Sequence, residues 1–231
     1  MNETQETQHP LPDILPNASP SHWHKIRLSR WAAAAGAMAI GLLYLALPGH
    51  LTFGPNWLLL AIESPLVLLL LLLSLTHHPL PHITMRVLSL ILLGIVTVGL
   101  AISIALLIIT LPTDKHASTL LRSAGVLWCS NILVFALWYW EVDGGGPLKR
   151  HLAGHLAADF MFPQQADGDV GNWAPHFLDY LFVAFTGATA LSPADTFPLT
   201  RTAKGLMMLE AILSMIIIVL LAARAVNMLG S

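Results

Sequence analysis

Charge is what this chain has least of. Charged residues make up 10% of the sequence, against about 25% in a soluble domain. From Trp31 to Thr110 only Glu63 and Arg86 carry a fixed charge. Such a stretch cannot form a water-facing surface. The net charge of -2 supplies no basic field to hold nucleic acid. Cysteine occurs once, at Cys129, which excludes an intrachain disulfide. Its apolar surroundings read as a small buried residue. Hydrolase triads and paired catalytic carboxylates in a soluble setting are missing too. The glycine run Gly144 to Gly146 lacks the following lysine and preceding strand of a phosphate loop. Composition therefore points to a chain that is not an enzyme and carries no cofactor.

What fills the sequence is apolar residues, 55% of the total. A bilayer crossing takes about 20 consecutive apolar residues. Six stretches qualify or nearly so: 31–47, 56–76, 83–111, 119–140, a short 176–191, and 203–229. The expected fold is all-α, a polytopic helical membrane protein. It has five to six transmembrane segments, the fifth either a short span or re-entrant. Residues 1–30 are polar and proline-rich and read as a flexible tail. Residues 31–229 read as one membrane domain, with 141–175 as an interfacial connection. Within it, Leu148 to Phe160 has helical periodicity suited to the membrane surface. The aromatic cluster Trp138-Tyr139-Trp140 suits a lipid–water boundary.

Lysine and arginine set the orientation. Lys25, Arg27 and Arg30 precede the first segment, and Arg86, Lys149, Arg150 and Arg224 fall on the same side if there are six crossings. Lys115, Arg122, Arg201 and Lys204 fall on the other. This favours a full crossing by 176–191 and both termini in the cytoplasm.

Residues 179–229 contain D-Y-L-F-V-A-F-T-G-A-T-A-L-S-P-A-D-T-F-P-L-T-R-T-A-K, then a helix ending A-R-A-V-N-M-L. With W-Y-W-E-V-D-G-G-G-P and D-F-M-F-P upstream, this stretch resembles an uncharacterised bacterial family of multi-pass membrane proteins. The resemblance implies an inner-membrane location and no established activity. More distantly, 176–229 is similar to the pore module of potassium channels. Aligned on Asp195, Pro198 and Thr200, residues 189–195 fall on the filter. Ser192 and Ala194 stand where the filter glycines would be, and Pro193 locks its own backbone. A working potassium filter is therefore excluded.

The candidate polar path is Glu63, Glu210, Thr186, Thr189, Asp195 and Arg122. In the six-span arrangement both glutamates lie roughly 10 Å below the outer boundary, at about 1.5 Å per residue. Arg122 and Lys204 are the expected partners, because an unpaired carboxylate in lipid is costly. Asp195 is expected to order the outer loop. His151, His155 and Asp159 follow i, i+4, i+8 spacing, so a helix would set them on one face as a metal site; His77, His78 and His82 occupy another loop on that side. The expected functions are a small-ion channel or transporter, or an accessory subunit docking through the Ala33, Ala37, Gly41 stripe. The expected partners are the lipid bilayer and other copies of the chain, since a pore built from one short half-span needs several subunits.

Overall fold

In the computed structural model, residues 20–75, 82–110, 117–166, 173–189 and 195–229 are described. Among the described residues seven α-helices carry the fold: α1 Pro20–Leu45, α2 Leu58–Leu75, α3 His82–Thr110, α4 Ala117–Val142, α5 Pro147–Leu152, α6 Phe177–Ala188 and α7 Arg201–Leu229. A two-residue ribbon, β1 Phe160–Met161 and β2 Phe197–Pro198, pairs antiparallel with Phe160 opposite Pro198. The architecture is all-α apart from this ribbon. Among the described residues three helical stretches are long and apolar enough to cross a membrane: Arg86–Thr110, Ser118–Gly145 and Arg201–Arg224. Trp31–Leu45, Leu58–Leu72 and Phe177–Ala188 are shorter apolar helices.

Helix α4 is the centre of the bundle. Leu127, Val134, Phe135, Ala136 and Tyr139 are all buried along it. Helix α3 runs antiparallel to it, with Leu107 beside Leu120 and Thr97 accepting from Trp138 Nε1 at 2.9 Å. Helix α7 is also antiparallel: Glu210 meets Tyr139, while Leu220 and Arg224 meet Leu120 and Leu121. Helix α1 enters beside the end of α4, with Gly36 against Leu137 and Phe177. It then runs inward until Tyr44 reaches Gly99, where α2 turns back along it.

The sequence reading needs several corrections. The polar stretch before Trp31 is not all tail, because α1 begins at Pro20; a proline costs nothing at a helix start, where its missing N–H would have no partner. Tyr139 and Trp140 do not sit in a boundary belt but are buried in the bundle. Cys129 is exposed rather than buried. The helix expected over 148–160 stops at Leu152, and His155 follows with φ of +58°. In the leucine run of α2, Leu68, Leu69 and Leu72 face outward.

The largest correction concerns 176–191. Helix α6 starts beside the end of α4, with Tyr180 bonded to Asp143. It runs inward until Phe185 packs edge-on against Trp128 at 6.3 Å. The chain then returns to the end it left, since Pro198 pairs with Phe160 and Leu199 N–H donates to Asp159 at 2.8 Å. Residues 195–200 and the connection after α4 therefore share one end of the bundle, where a full crossing would have separated them.

Candidate functional site

Two polar clusters are built around α4, one at its end and one inside the bundle. The first begins where α4 stops. Gly144, Gly145 and Gly146 adopt φ of 60°, 79° and 102°, angles open to glycine at little cost. This turn folds Asp143 back under the bundle, where it is 1% exposed. Its Oδ1 accepts from the backbone N–H of Asp159 at 2.9 Å and of Phe160 at 3.1 Å. Its Oδ2 accepts from the Tyr180 hydroxyl at 2.5 Å and lies 3.6 Å from Arg150 Nη1.

Arg150 also donates to the carbonyls of Trp140 at 3.2 Å and Asp143 at 2.7 Å. The Trp140 carbonyl is one of those that a helix leaves unpaired at its C-terminus, the Asp143 carbonyl also accepts from Gly146 N–H at 3.1 Å, and a cation there suits the helix dipole. Its guanidinium also stands 5.2 Å from the Tyr180 ring centroid. Asp159 closes the cluster, accepting from Gly144 N–H at 3.0 Å and from the Thr200 hydroxyl at 2.6 Å. The three motifs W-Y-W-E-V-D-G-G-G-P, D-F-M-F-P and T-F-P-L-T-R thus meet in one knot. It clamps the start of α7 and the base of α6 to the end of α4. Losing one of its bonds should be measurable: Tyr180→Phe is expected to cost about 1.5–3 kcal/mol, the usual worth of a bond to a charged acceptor, read as a lower unfolding temperature in detergent.

The second cluster lies deeper, where α4, α6 and α7 meet. Glu210 is 0% exposed. Its Oε2 accepts from the Tyr139 hydroxyl, and Oε1 has no donor among the described residues. Gly187, near the tip of α6, leaves room for the carboxyl, since a Cβ there would stand 2.9 Å from Oε2. Asn131 Nδ2 donates to the Glu210 carbonyl at 3.3 Å. Asn131 Oδ1 and Ser214 Oγ are buried without partners.

The other predicted residues fall as follows. Glu63 is 0% exposed but sits elsewhere, against Gly41 of α1, and neither of its oxygens meets a donor among the described residues. The two glutamates thus lie against different helices and do not form one cluster. Helix α7, which carries Glu210, begins at the end of the bundle that holds the connection after α4, whereas six crossings would start it at the opposite end. Arg122 and Lys204 are exposed and pair with neither acid. Arg122 stands roughly 13 Å back along α4 from Asn131, at about 1.5 Å per residue. Thr186 and Thr189 bond their own helix, to Val183 at 2.9 Å and Phe185 at 2.8 Å. Asp195 is exposed on a turn, and residues 190–194, the rest of the filter-like stretch, lie outside the described residues, as do His77 and His78.

The metal triad is not assembled. His151 Nδ1 and His155 Nε2 lie 3.1 Å apart, but the carboxyl of Asp159 is held by Gly144 and Thr200. Among the described residues no group of three His, Cys, Asp or Glu side chains is placed to bind a metal. Sequence reading did not name Asp143, Arg150, Tyr139, Tyr180 or Asn131 as site residues. Their one signal was the D-G-G-G-P turn; the rest depends on partners tens of residues away. No protein-family model, no curated protein and no solved structure matches the chain.

Proposed function

We propose that this chain is a small-ion channel or transporter of the bacterial inner membrane, with its polar path inside the protomer beside the tip of α6. The observation that carries this reading is the fully enclosed Glu210 carboxyl lying against Gly187 of a helix that enters and leaves by the same end. An acid in such a place is costly to bury, and an ionisable group kept there supports an ion or proton route. The likeness to a channel pore module asks for a re-entrant helix of this kind. The outer face of α6 is apolar, with Leu178, Phe182 and Phe185 exposed, while Glu210 lies on its inner side, within one protomer.

In the membrane, α1, α2, α3, α4 and α7 make five crossings and α6 dips and returns. Eight of the eleven lysines and arginines then fall at one face: Lys25, Arg27 and Arg30 ahead of the apolar part of α1, Arg86 on α3, Lys149 and Arg150 after α4, and Arg201 and Lys204 on α7. That excess marks the cytoplasmic side. The amino terminus is inside and the carboxyl terminus outside, in place of two cytoplasmic termini. The accessory-subunit alternative has less support, because Ala33, Ala37 and Gly41 are buried against the protein's own helices.

Two measurements test this. In a Cys129→Ala background, cysteines at Lys149 and Asp195 are expected to label from the same, cytoplasmic side; labelling of Asp195 from outside would remove the re-entrant α6. In liposomes, Glu210→Gln is expected to cut ion flux by about tenfold or more, with Glu63→Gln having a smaller effect. Flux unchanged in the double variant would exclude both acids from the route.

A further inference from the structure

We infer that the transported ion is the proton, carried by Glu210 together with a water seated between it, Asn131 and Ser214. The inference rests on the ion-handling reading and gives it a substrate class. Three oxygen acceptors line the α4–α7 seam without a donor: Glu210 Oε1, Asn131 Oδ1 and Ser214 Oγ. All three residues are essentially sealed from solvent, at 0%, 0% and 1% exposure. Glu210 and Ser214 are four residues apart on α7 and share one face. Asn131 reaches the same turn from α4 through its bond to the Glu210 carbonyl. One helical turn is about 5.4 Å. A single water with hydrogen bonds of about 2.8 Å on each side bridges such a gap, and buried waters occupy sites of this kind, satisfying two to four stranded polar groups.

The same groups suit a proton better than a divalent metal ion. A hard divalent cation takes about six to eight oxygen ligands, commonly including several carboxylates. Here there is one acid, and one of its oxygens is already filled by a donor, the Tyr139 hydroxyl. Tyr139 is the titratable side chain that α4 places on Glu210; Gly187 and its neighbours Thr186 and Ala188 on α6 bring none. The step is a simple relay. Oε1 takes a proton from hydronium on one side, leaving water, and gives it to water on the other, forming hydronium, so only O–H bonds form and break. Asn131 and Ser214 are positioning residues that hold the water and stay unchanged.

The test uses the full chain in liposomes under an imposed pH gradient, read with a trapped pH dye, and separately under sodium and potassium gradients. Proton flux is expected, falling about tenfold or more in Glu210→Gln and about tenfold in the Asn131→Leu, Ser214→Ala double variant, which keeps the acid. Unchanged size-exclusion behaviour in detergent confirms that each variant is folded. Sodium or potassium flux that depends on Glu210, without proton flux, would overturn the proton assignment and leave the ion reading standing. Absence of any flux would overturn both. Proton flux untouched in the folded double variant would remove the bridging water.

Discussion

Replacing Asp143 by alanine is expected to destabilise the protein by about 3–5 kcal/mol, the range seen when one partner of a buried ion pair is removed. Three donors lose their acceptor at once: the Asp159 and Phe160 amides and the Tyr180 hydroxyl. Arg150, itself 3% exposed, keeps its two carbonyls but loses its countercharge. The consequence reaches beyond the turn. Asp159 and Phe160 anchor the ribbon that returns the chain from α6 to α7, so the variant should also loosen the tip of α6 around Glu210. Thermal unfolding in detergent should show the loss, and protease should cut first within 143–166. Asp195→Ala, at an exposed turn residue, serves as control and should stay within about 0.5 kcal/mol of the parent. A similarly small effect at Asp143 would mean that the knot does not hold this end together.

Gly41→Leu is expected to be the most damaging change in the first half of the chain. A Cβ alone at this position would come within 2.4 Å of Glu63 Oε2 and 2.6 Å of Leu60 Cδ1. Overpacking a tight contact costs about 1–3 kcal/mol, and here α1 and α2 must also separate, opening the pocket that encloses Glu63. Gly94→Ala provides the contrast, since a Cβ there meets nothing within 4 Å. Alanine is favoured over glycine in a helix by about 1 kcal/mol, so that variant should be neutral or slightly stabilised. Truncating the clashing partner in Gly41→Leu, Glu63→Ala should recover part of the loss in unfolding temperature. No recovery would show that the two helices do not meet through this pair.

Both predictions turn on contacts of different reach along the chain. Gly41 and Glu63 belong to neighbouring segments, and the sequence singled out both: Gly41 in a stripe of small residues, Glu63 as an acid in a leucine-rich helix. Their meeting was not visible, because periodicity gives a residue's face on its own helix and not the neighbour opposite. Asp143 looked like one more turn residue. Its value comes from Phe160 and Tyr180, 17 and 37 positions away. Tyr139 was harder still, since an aromatic run at the end of an apolar helix has the same composition whether it meets lipid or a buried acid 71 positions on. The histidine pattern failed for a related reason. Its i, i+4, i+8 spacing presumed a helix through Asp159, but the backbone leaves the helix after Leu152 to reach the ribbon.

Sequence by itself determined the apolar character of the main helices, the all-α class, the extents of those helices other than α1, and the presence of one acid within each of two of them. These properties are local: in hydrocarbon a segment must satisfy its backbone hydrogen bonds within itself, so each apolar run declares its own helix. Tertiary structure decided that α6 returns to the end it left, that Glu63 and Glu210 occupy separate places, that Thr186 and Thr189 bond their own helix, and that Asp143 and Arg150 tie three distant motifs together. Those outcomes depend on which polar groups find each other once the helices pack, and a buried polar group takes its partner from wherever the fold brings one within about 3 Å.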